Sequence, residues 1–176
     1  LSAWRVAFNA AEPIRHRTLT DFAERFAPAG FRWSSFQMGY GLSEATCKVS
    51  SDRGNPVVTC SVDRAALGQG KIAVSAEKDA QLLVSSGTMG NYGTVAIVDP
   101  DTLARSAPDE VGEVWVTGPI VGQGYWKRPE HPAFGARIVN EGETTYLRTG
   151  DLGFIRENNL FITGRHKDLI IVNGEN

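Results

Sequence analysis

The sequence has few cysteines, no long apolar run and no start that resembles a signal peptide, and each of these features makes one class of protein unexpected. Its 176 residues include two cysteines, Cys47 and Cys60, which are too few for a disulfide scaffold or a four-cysteine zinc site. No apolar stretch approaches the ~20 residues of a membrane-spanning helix, and Arg5 interrupts the apolar start of the chain. We therefore expect a cytoplasmic protein with reduced thiols and no integral membrane contact.

The sequence also lacks a large excess of positive or negative charge. The chain has 18 Lys and Arg against 20 Asp and Glu, and a formal net charge of −2. Without a basic stripe it lacks the usual electrostatic feature of nucleic-acid binding, so we expect no nucleic-acid partner. The length suits one domain, or a domain with a small appendage. Because the chain starts at Leu1 rather than Met and ends at Asn176 without a terminal helix, we expect it to be a piece of a longer polypeptide.

The first 45 residues or so have the pattern of a βαβ unit. Residues 4–9 and 31–38 are predicted strands. Between them, apolar residues at positions 19, 22, 23 and 26 predict a helix, which Pro28 and Gly30 end. Thr18 and Asp21 have a spacing similar to that of a capping box at its start. The alternation predicts an α/β unit with a parallel sheet.

After about residue 46 the pattern changes to short strands. Six segments rich in Val, Ile, Thr and aromatic residues are separated by turns that contain Gly, Pro or Asp; they are residues 72–74, 82–85, 94–99, 113–117, 146–148 and 160–163. This pattern predicts an antiparallel sheet or an open barrel. The fold class expected is therefore α/β, with the end of a parallel βαβ subdomain followed by a β-rich subdomain.

Two clusters of chemically useful residues follow the predicted strands of the α/β part. Residues 9–13 place small side chains beside a turn that Pro13 fixes, where the backbone can lie flat against a planar ligand. An ordinary strand-to-helix loop explains them as well. In residues 38–46, Tyr40 can stack on a base, Ser43 can donate to a phosphate and Glu44 can hold a magnesium ion. The alternative is a glycine-rich turn in which Ser43 caps a helix.

Two more clusters lie near the C-terminus. Asp151, between Gly150 and Gly153, can accept hydrogen bonds from both hydroxyls of a ribose, although Gly-Asp is also typical of a hairpin turn. In residues 164–168 three basic side chains precede an acid, an arrangement that can hold a phosphate or a ribose. A solvated turn is the alternative for this cluster, and for His166 we favour it.

The order of five motifs resembles that of the adenylate-forming superfamily, which includes acyl-CoA synthetases, nonribosomal peptide adenylation domains, luciferases and fatty acyl-AMP ligases. The motifs are residues 9–13, 40–46, 112–118 with 124–126, 148–152 and 164–168. The branch that the chain resembles most is the fatty acyl-AMP ligases, on the motifs at 9–13, 40–46 and 164–171 and on a long stretch between Thr46 and Gly87, where that branch carries an insertion. Ala10 stands where the family usually has Gly.

This resemblance implies an enzyme that uses ATP and magnesium to convert a fatty acid to acyl-AMP, and passes the acyl group to an acyl carrier protein or a polyketide synthase carrier domain. It implies that Ala11, Glu12 and Pro13 lie along the adenine, and that Tyr40, followed by Gly41, stacks on it. Ser43 corresponds to a position near the α-phosphate and Glu44 to the magnesium ligand. Asp151 and Arg165 correspond to the ribose contacts, and Lys167 to the hinge of a small C-terminal domain.

The resemblance also implies domain boundaries. Residues 1–46 end an α/β subdomain, 47–87 form the insertion and a link, 88–166 form a β-rich, distorted-barrel subdomain, and 167–176 hold the hinge and the start of the small domain. Apolar residues of the insertion are expected to pack on the large domain; they are Val57, Val58, Val62, Leu67, Ile72 and Val74. The family's pyrophosphate-holding loop and adenylate-neutralising lysine have no counterpart in the chain, so alone it is expected to be inactive. A long-chain acyl-CoA synthetase and a non-catalytic binding module derived from such an enzyme are the alternatives.

Overall fold

The structure, a computed structural model, describes residues 1–52, 54–90, 93–128 and 130–168. The helices in this part of the chain are α1 (His16–Phe26) and α2 (Arg64–Gly68). Its strands are β1 (Ala7–Asn9), β2 (Phe36–Tyr40), β3 (Ser50–Ser51), β4 (Thr59–Val62), β5 (Gln81–Val84), β6 (Thr88–Met89), β7 (Thr94–Val98), β8 (Gly112–Thr117), β9 (Leu147–Arg156) and β10 (Asn159–Arg165). No helix in the described residues has the length and apolar character needed to cross a membrane.

The predicted βαβ unit is confirmed, since β1 pairs in parallel with β2 and α1 lies between them in the chain. Leu19 of α1 is 1% exposed and packs with Phe31, Phe36 and Met38. The predicted capping box is wrong: α1 begins at His16, and Arg15 precedes it without a side-chain cap. Because Ile14 joins the same apolar cluster as Leu19, the chain enters the helix before it reaches Thr18.

The predicted strand at residues 31–38 is wrong in its first half. Residues Trp33–Ser35 form a single 3₁₀ turn, and β2 begins only at Phe36. In a regular strand, two residues five positions apart, such as Phe31 and Phe36, would point to opposite faces of the sheet. The turn instead brings the rings of Phe31 and Phe36 together, with centroids 5.0 Å apart in the same apolar cluster. Burial of two phenylalanines on one side therefore outweighs strand propensity here.

The strands of both predicted parts join in one eight-stranded sheet, ordered β1-β2-β3-β6-β10-β9-β8-β7. The pairs from β2–β3 onward are antiparallel, as expected for the β-rich part. The predicted strand at 72–74 is wrong, because among the described residues only Val74 there makes an isolated bridge, to Val62. The predicted segment 146–148 overlaps the start of a ten-residue strand, β9.

The stretch between Thr46 and Gly87 packs on the rest of the molecule. Its β4 and β5 form a two-stranded antiparallel sheet. Val62 of β4 is fully buried with Phe154 and Phe161, whose rings stack at 4.9 Å, while Leu67 and Ile72 pack around them. Val74 is 58% exposed and makes no such contribution. That this stretch is an insertion of a ligase branch stays a prediction.

Candidate functional site

A cleft of about 900 Å³ lies where the two predicted parts meet, and we call it the central cleft. Its volume is typical of sites for small molecules and cofactors. Four of the five predicted motifs contribute to its lining, through Ala11, Glu12, Pro13, Tyr40, Gly41, Asp151 and Arg165. Residues from positions 11 to 165 of the chain therefore meet around one cavity.

Three of these residues form a hydrogen-bonded network, which we call the Tyr40 network. The hydroxyl of Tyr40 donates to Oδ2 of Asp151 at 2.6 Å, across 111 positions of sequence. Nε of Arg165 donates to Oδ1 of the same carboxylate at 2.8 Å. The side chain of Asp151 is 8% exposed and that of Arg165 is 66% exposed. The carboxylate is thus held at the cleft wall from a buried side and from a solvent side.

Tyr40 is a neutral hydrogen-bond donor in this network. Burial, and then the adjacent charge of Asp151, raise the pKa of the Tyr40 phenol well above its ordinary value. The phenol therefore keeps its proton throughout the physiological range, and its hydrogen bond fixes the ring at the cleft wall. A fixed aromatic ring suits stacking on a planar base, although stacking itself stays a prediction.

Gly41 lies at a position where a side chain does not fit. A Cβ atom there would come within 2.3 Å of the carbonyl oxygen of Cys47. The chain turns back at this point through a 3₁₀ turn, Ser43–Ala45, and then through Thr46 and Cys47 with positive φ. The glycine of this motif is therefore required by the close approach of two backbone segments.

Ser43 and Glu44 lie in this turn, and neither belongs to the lining of the central cleft. Ser43 is the first residue of the turn and follows Leu42 at the cap position, so the idea that Ser43 is an N-cap is wrong. The carboxylate of Glu44 accepts a hydrogen bond from the hydroxyl of Tyr125, and its carbonyl accepts one from the amide of Gly122 at 2.8 Å. The motif that contains Tyr125 therefore fixes Glu44.

Glu44 is the predicted magnesium ligand. Among the described residues no group of three or more His, Cys, Asp or Glu side chains could hold a metal ion. A single carboxylate is still compatible with magnesium, because this ion is commonly held by one or two carboxylates together with substrate phosphates and water. Magnesium binding by Glu44 stays a prediction.

The last motif follows β10. His166 to Asp168 form a 3₁₀ turn in which His166 and Lys167 are exposed. His166 contributes to the lining of the central cleft, whereas Lys167 does not. The rest of the predicted hinge and small-domain segment, residues 169–176, lies outside the described residues.

Sequence reasoning missed one wall of the cleft. Residues of α2 and the turn after it also line the cavity; they are Arg64, Leu67, Gly68, Gln69 and Gly70. The amide of Val111 donates to the carbonyl of Gly70 at 2.8 Å, which ties this turn to the β-rich part. No motif marks this stretch, and its Gly-Gln-Gly turn is the only signal that could have indicated a close approach to a ligand.

Comparison with known proteins gives a family and a fold. Residues 1–126 match the family of AMP-binding enzymes. The medium-chain-fatty-acid–[acyl-carrier-protein] ligase JamA of Moorena producens is 43% identical over 183 residues, which cover 100% of this chain and 31% of JamA. A 4-hydroxyphenylalkanoate adenylyltransferase of Mycobacterium tuberculosis is 40% identical, over 98% of this chain and 29% of its own length.

A solved structure is similar over nearly the whole chain. The fatty acyl-adenylate ligase of Legionella pneumophila, crystallised with acyl adenylate and pyrophosphate, is 41% identical with a TM-score of 0.89, and the match covers 98% of this chain and 31% of that one. The chain thus spans about three-tenths of the length of these relatives. Since the family match covers most of the chain and the fold agrees, the chain belongs to the AMP-binding enzyme family, that of the adenylate-forming enzymes.

Proposed function

We propose that this chain is the adenosine-binding part of an ATP-dependent ligase that activates a fatty acid as acyl-adenylate. The observation that carries the proposal is the Tyr40 network, in which Tyr40 and Arg165 both donate to the carboxylate of Asp151 at the wall of a cleft large enough for a nucleotide. The similarity to JamA and to the Legionella ligase supports a fatty acid as the substrate. We refer to the longer protein that contains this chain as the complete ligase.

In the proposed reaction a carboxylate oxygen of the fatty acid attacks the α-phosphorus of ATP. A carboxylate–phosphorus bond forms, the bond between the α- and β-phosphates breaks, and pyrophosphate leaves. Little covalent work falls to the protein, so positioning and charge stabilisation dominate. The residues of this chain would orient the adenosine end of the nucleotide, with residues 11–13 and Tyr40 around the base.

Asp151 is the proposed ribose ligand. An ionised carboxylate offers about four acceptor sites on its two oxygens. Tyr40 and Arg165 each use one of them. Two sites therefore remain, one for each of the 2′ and 3′ hydroxyls. Arg165, whose side chain is largely exposed, would approach the ribose from the solvent side of the cleft.

Other parts of the proposal rest on the family resemblance. Ser43 would lie near the α-phosphate, and Glu44 would hold magnesium, which neutralises the phosphate charge. Lys167 would serve as a hinge residue, and the acyl acceptor would be the phosphopantetheine arm of a carrier protein, the class of acceptor that JamA's name states. We propose a cytoplasmic location for the enzyme.

The test is fatty-acid-dependent exchange between ATP and pyrophosphate in the complete ligase. Asp151→Asn removes the charge but keeps the shape, and each hydrogen bond to a charged group is worth about 1.5–3 kcal/mol. We expect KM for ATP to rise at least about tenfold, because about 1.4 kcal/mol corresponds to that factor. Asp79→Asn, at an exposed position outside the cleft, is the control. An unchanged KM for ATP in Asp151→Asn would contradict the proposal.

A further inference from the structure

Asp151 lies in an irregular part of β9. Glu113 of β8 pairs with Leu152, and Trp115, two residues later, pairs with Arg148, four residues earlier in β9. Val114 alone therefore faces the three residues 149–151. Gly150, with φ of +74°, supplies a backbone conformation that other residues rarely adopt. Such a bulge turns a side chain out of the regular alternation of the strand, and here the side chain is that of Asp151.

The carboxylate of Glu113, which is not part of the cleft lining, contacts this bulge. Its Oε1 accepts from the backbone amide of Gly150 at 3.0 Å. Its Oε2 accepts from Nε and Nη2 of Arg148 at 2.9 and 2.7 Å. The guanidinium of Arg148 also lies over the ring of Trp115, 5.3 Å from its centroid. One carboxylate thus fixes two of the three residues that precede Asp151.

The third of these residues is fixed by the strand next to it. The hydroxyl of Thr149 donates to the carbonyl of Val114 at 2.7 Å and accepts from the amide of Asp151 at 3.1 Å. Side-chain contacts of Glu113 and Thr149 therefore hold the segment from Arg148 to Asp151 on β8. Outside β8 and the bulge, the amide of Arg148 donates to the carbonyl of Ala133 at 2.7 Å, and Asp151 pairs with Arg165 of β10.

Glu113 is an unusual residue for its place in the sheet. It is 3% exposed and precedes three apolar residues of β8, 114–116, that are fully buried. A buried carboxylate is unfavourable unless it is paired and hydrogen-bonded. Among the described residues, the partners that meet these conditions for Glu113 are Arg148 and Gly150.

We propose that Glu113 is a positioning residue for Asp151. It fixes the backbone of the bulge so that the two remaining acceptor sites of Asp151 face the ribose hydroxyls, while Glu113 itself is not part of the cleft lining. The inference rests on the proposed function, in which Asp151 binds the ribose. It also gives the Gly-Glu-Val-Trp motif at 112–115 a role, as the support of the motif at 148–152.

The test compares the affinities of the complete ligase for ATP and for 2′,3′-dideoxy-ATP, measured by isothermal titration calorimetry. The ratio of the two dissociation constants reports contacts to the ribose hydroxyls. Because both are measured on one preparation, the ratio does not depend on the folded fraction. Glu113→Gln keeps an acceptor for Gly150 but removes the charge that holds Arg148. Glu113→Asp keeps the charge on a shorter side chain and gives the same comparison in case the first variant does not fold.

We expect the preference of the wild type for ATP to fall by about tenfold in both variants, since a displacement of about 1 Å at a binding group can cost up to about 10²-fold. Glu141→Gln is the matched control, because Glu141 makes a two-fold hydrogen-bonded ion pair with Arg105 at an exposed site of the same sheet region. Its ratio should equal that of the wild type.

The outcomes separate the two levels of the argument. A wild-type ratio near one would contradict ribose binding by Asp151, and with it the proposed function. A large wild-type ratio that stays unchanged in the Glu113 variants would overturn the positioning role alone. In that case Glu113 would only support the fold, and its replacement would lower the melting temperature or both affinities in equal proportion.

Discussion

Removal of the Asp151 carboxylate should affect the fold as well as nucleotide binding. A ribose ligand in a solvent-filled cleft would contribute little to the stability of the fold. Asp151 lines the cleft, yet it is only 5% exposed and accepts the hydroxyl of Tyr40 at 2.6 Å. The alanine variant leaves that hydroxyl in a largely buried place without its acceptor.

The stability cost of Asp151→Ala depends on the contacts that Asp151 makes with Tyr40 and with Arg165. Hydrogen bonds to charged groups contribute about 1.5–3 kcal/mol, and a stranded buried donor costs about 1–3 kcal/mol. The ion pair with Arg165 adds at most about 1 kcal/mol, because the arginine side chain is 66% exposed and its charge returns to water. The Tyr40 bond therefore dominates. In a double-mutant cycle of Asp151→Ala and Tyr40→Phe, we expect a coupling energy of about 1.5–3 kcal/mol.

The assay is urea unfolding of the four proteins, wild type, two single variants and the double variant, followed by circular dichroism. The cycle cancels the cost of burying the carboxylate, which is the same in both backgrounds. The exposed pair of Arg105 and Glu141 provides the comparison cycle, with an expected coupling of about 0.2–1 kcal/mol. If Asp151→Ala costs the same with Tyr40 and with Phe at position 40, the reasoning is refuted.

Three further predictions concern pH, the segment between β4 and β5, and the chain by itself. Burial and Asp151 raise the pKa of Tyr40 above its ordinary value of 10.0, so the stability that the Tyr40 phenol contributes is complete below pH 10 and is lost as the pH rises further. The Tyr40→Phe variant should therefore lose less stability than the wild type between about pH 9 and 11. An equal loss in both proteins would contradict this. Replacement of residues 63–80 by Asn-Gly should close a hairpin, since Val62 and Gln81 are register partners. If the segment restricts movement of the small C-terminal domain, the complete ligase with this replacement should form some acyl-CoA. A variant that still forms acyl-adenylate but no thioester would count against this gating role. The 176-residue chain alone should show no fatty-acid-dependent pyrophosphate exchange, because loss of even one charge-stabilising donor costs about 10²–10³ in rate; measurable exchange would disprove this.

The local sequence pattern predicted most of the strands, and it failed where tertiary packing determines the backbone conformation. The periodicity that predicts α1, and the Val, Ile, Thr and aromatic content that predicts β7 and β8, depend on neighbouring residues, which the sequence displays directly. Residues 31–35 contain two aromatic residues and residues 72–74 contain two β-branched ones, both of which favour strands. They are not strands, because Phe31 packs beside Phe36 and because residues 72–74 pair at only one position. Such tertiary contacts cannot be seen in a window of a few residues.

In the candidate site, too, the residues could be identified from the sequence but their tertiary contacts could not. Resemblance supplied Tyr40, Asp151 and Arg165 one by one, whereas their hydrogen bonds to one another depend on the register of β9 against β10. That register includes an extra residue between Ile162 and Gly164, together with the bulge against β8. Bulges arise from the fit of whole strands, so neither the network nor the support from Glu113 could be predicted from the motifs alone.

The predicted insertion, residues 47–87, divides into two structurally different parts, and this decides how its role can be tested. At its start, β3 joins β2 to β6, so it links the parallel pair to the antiparallel sheet. Ser50 and Ser51 are buried there, beside Asp52, which accepts from the amide of Met38 at 3.0 Å. Removal of this part would disturb β2 and with it Tyr40. Residues 63–80, by contrast, leave and re-enter at adjacent partners of β4 and β5. Removal of residues 63–80, which include the cleft-lining residues of α2 and its turn, therefore tests the proposed gating role of the insertion while the pairing of β4 with β5 is kept.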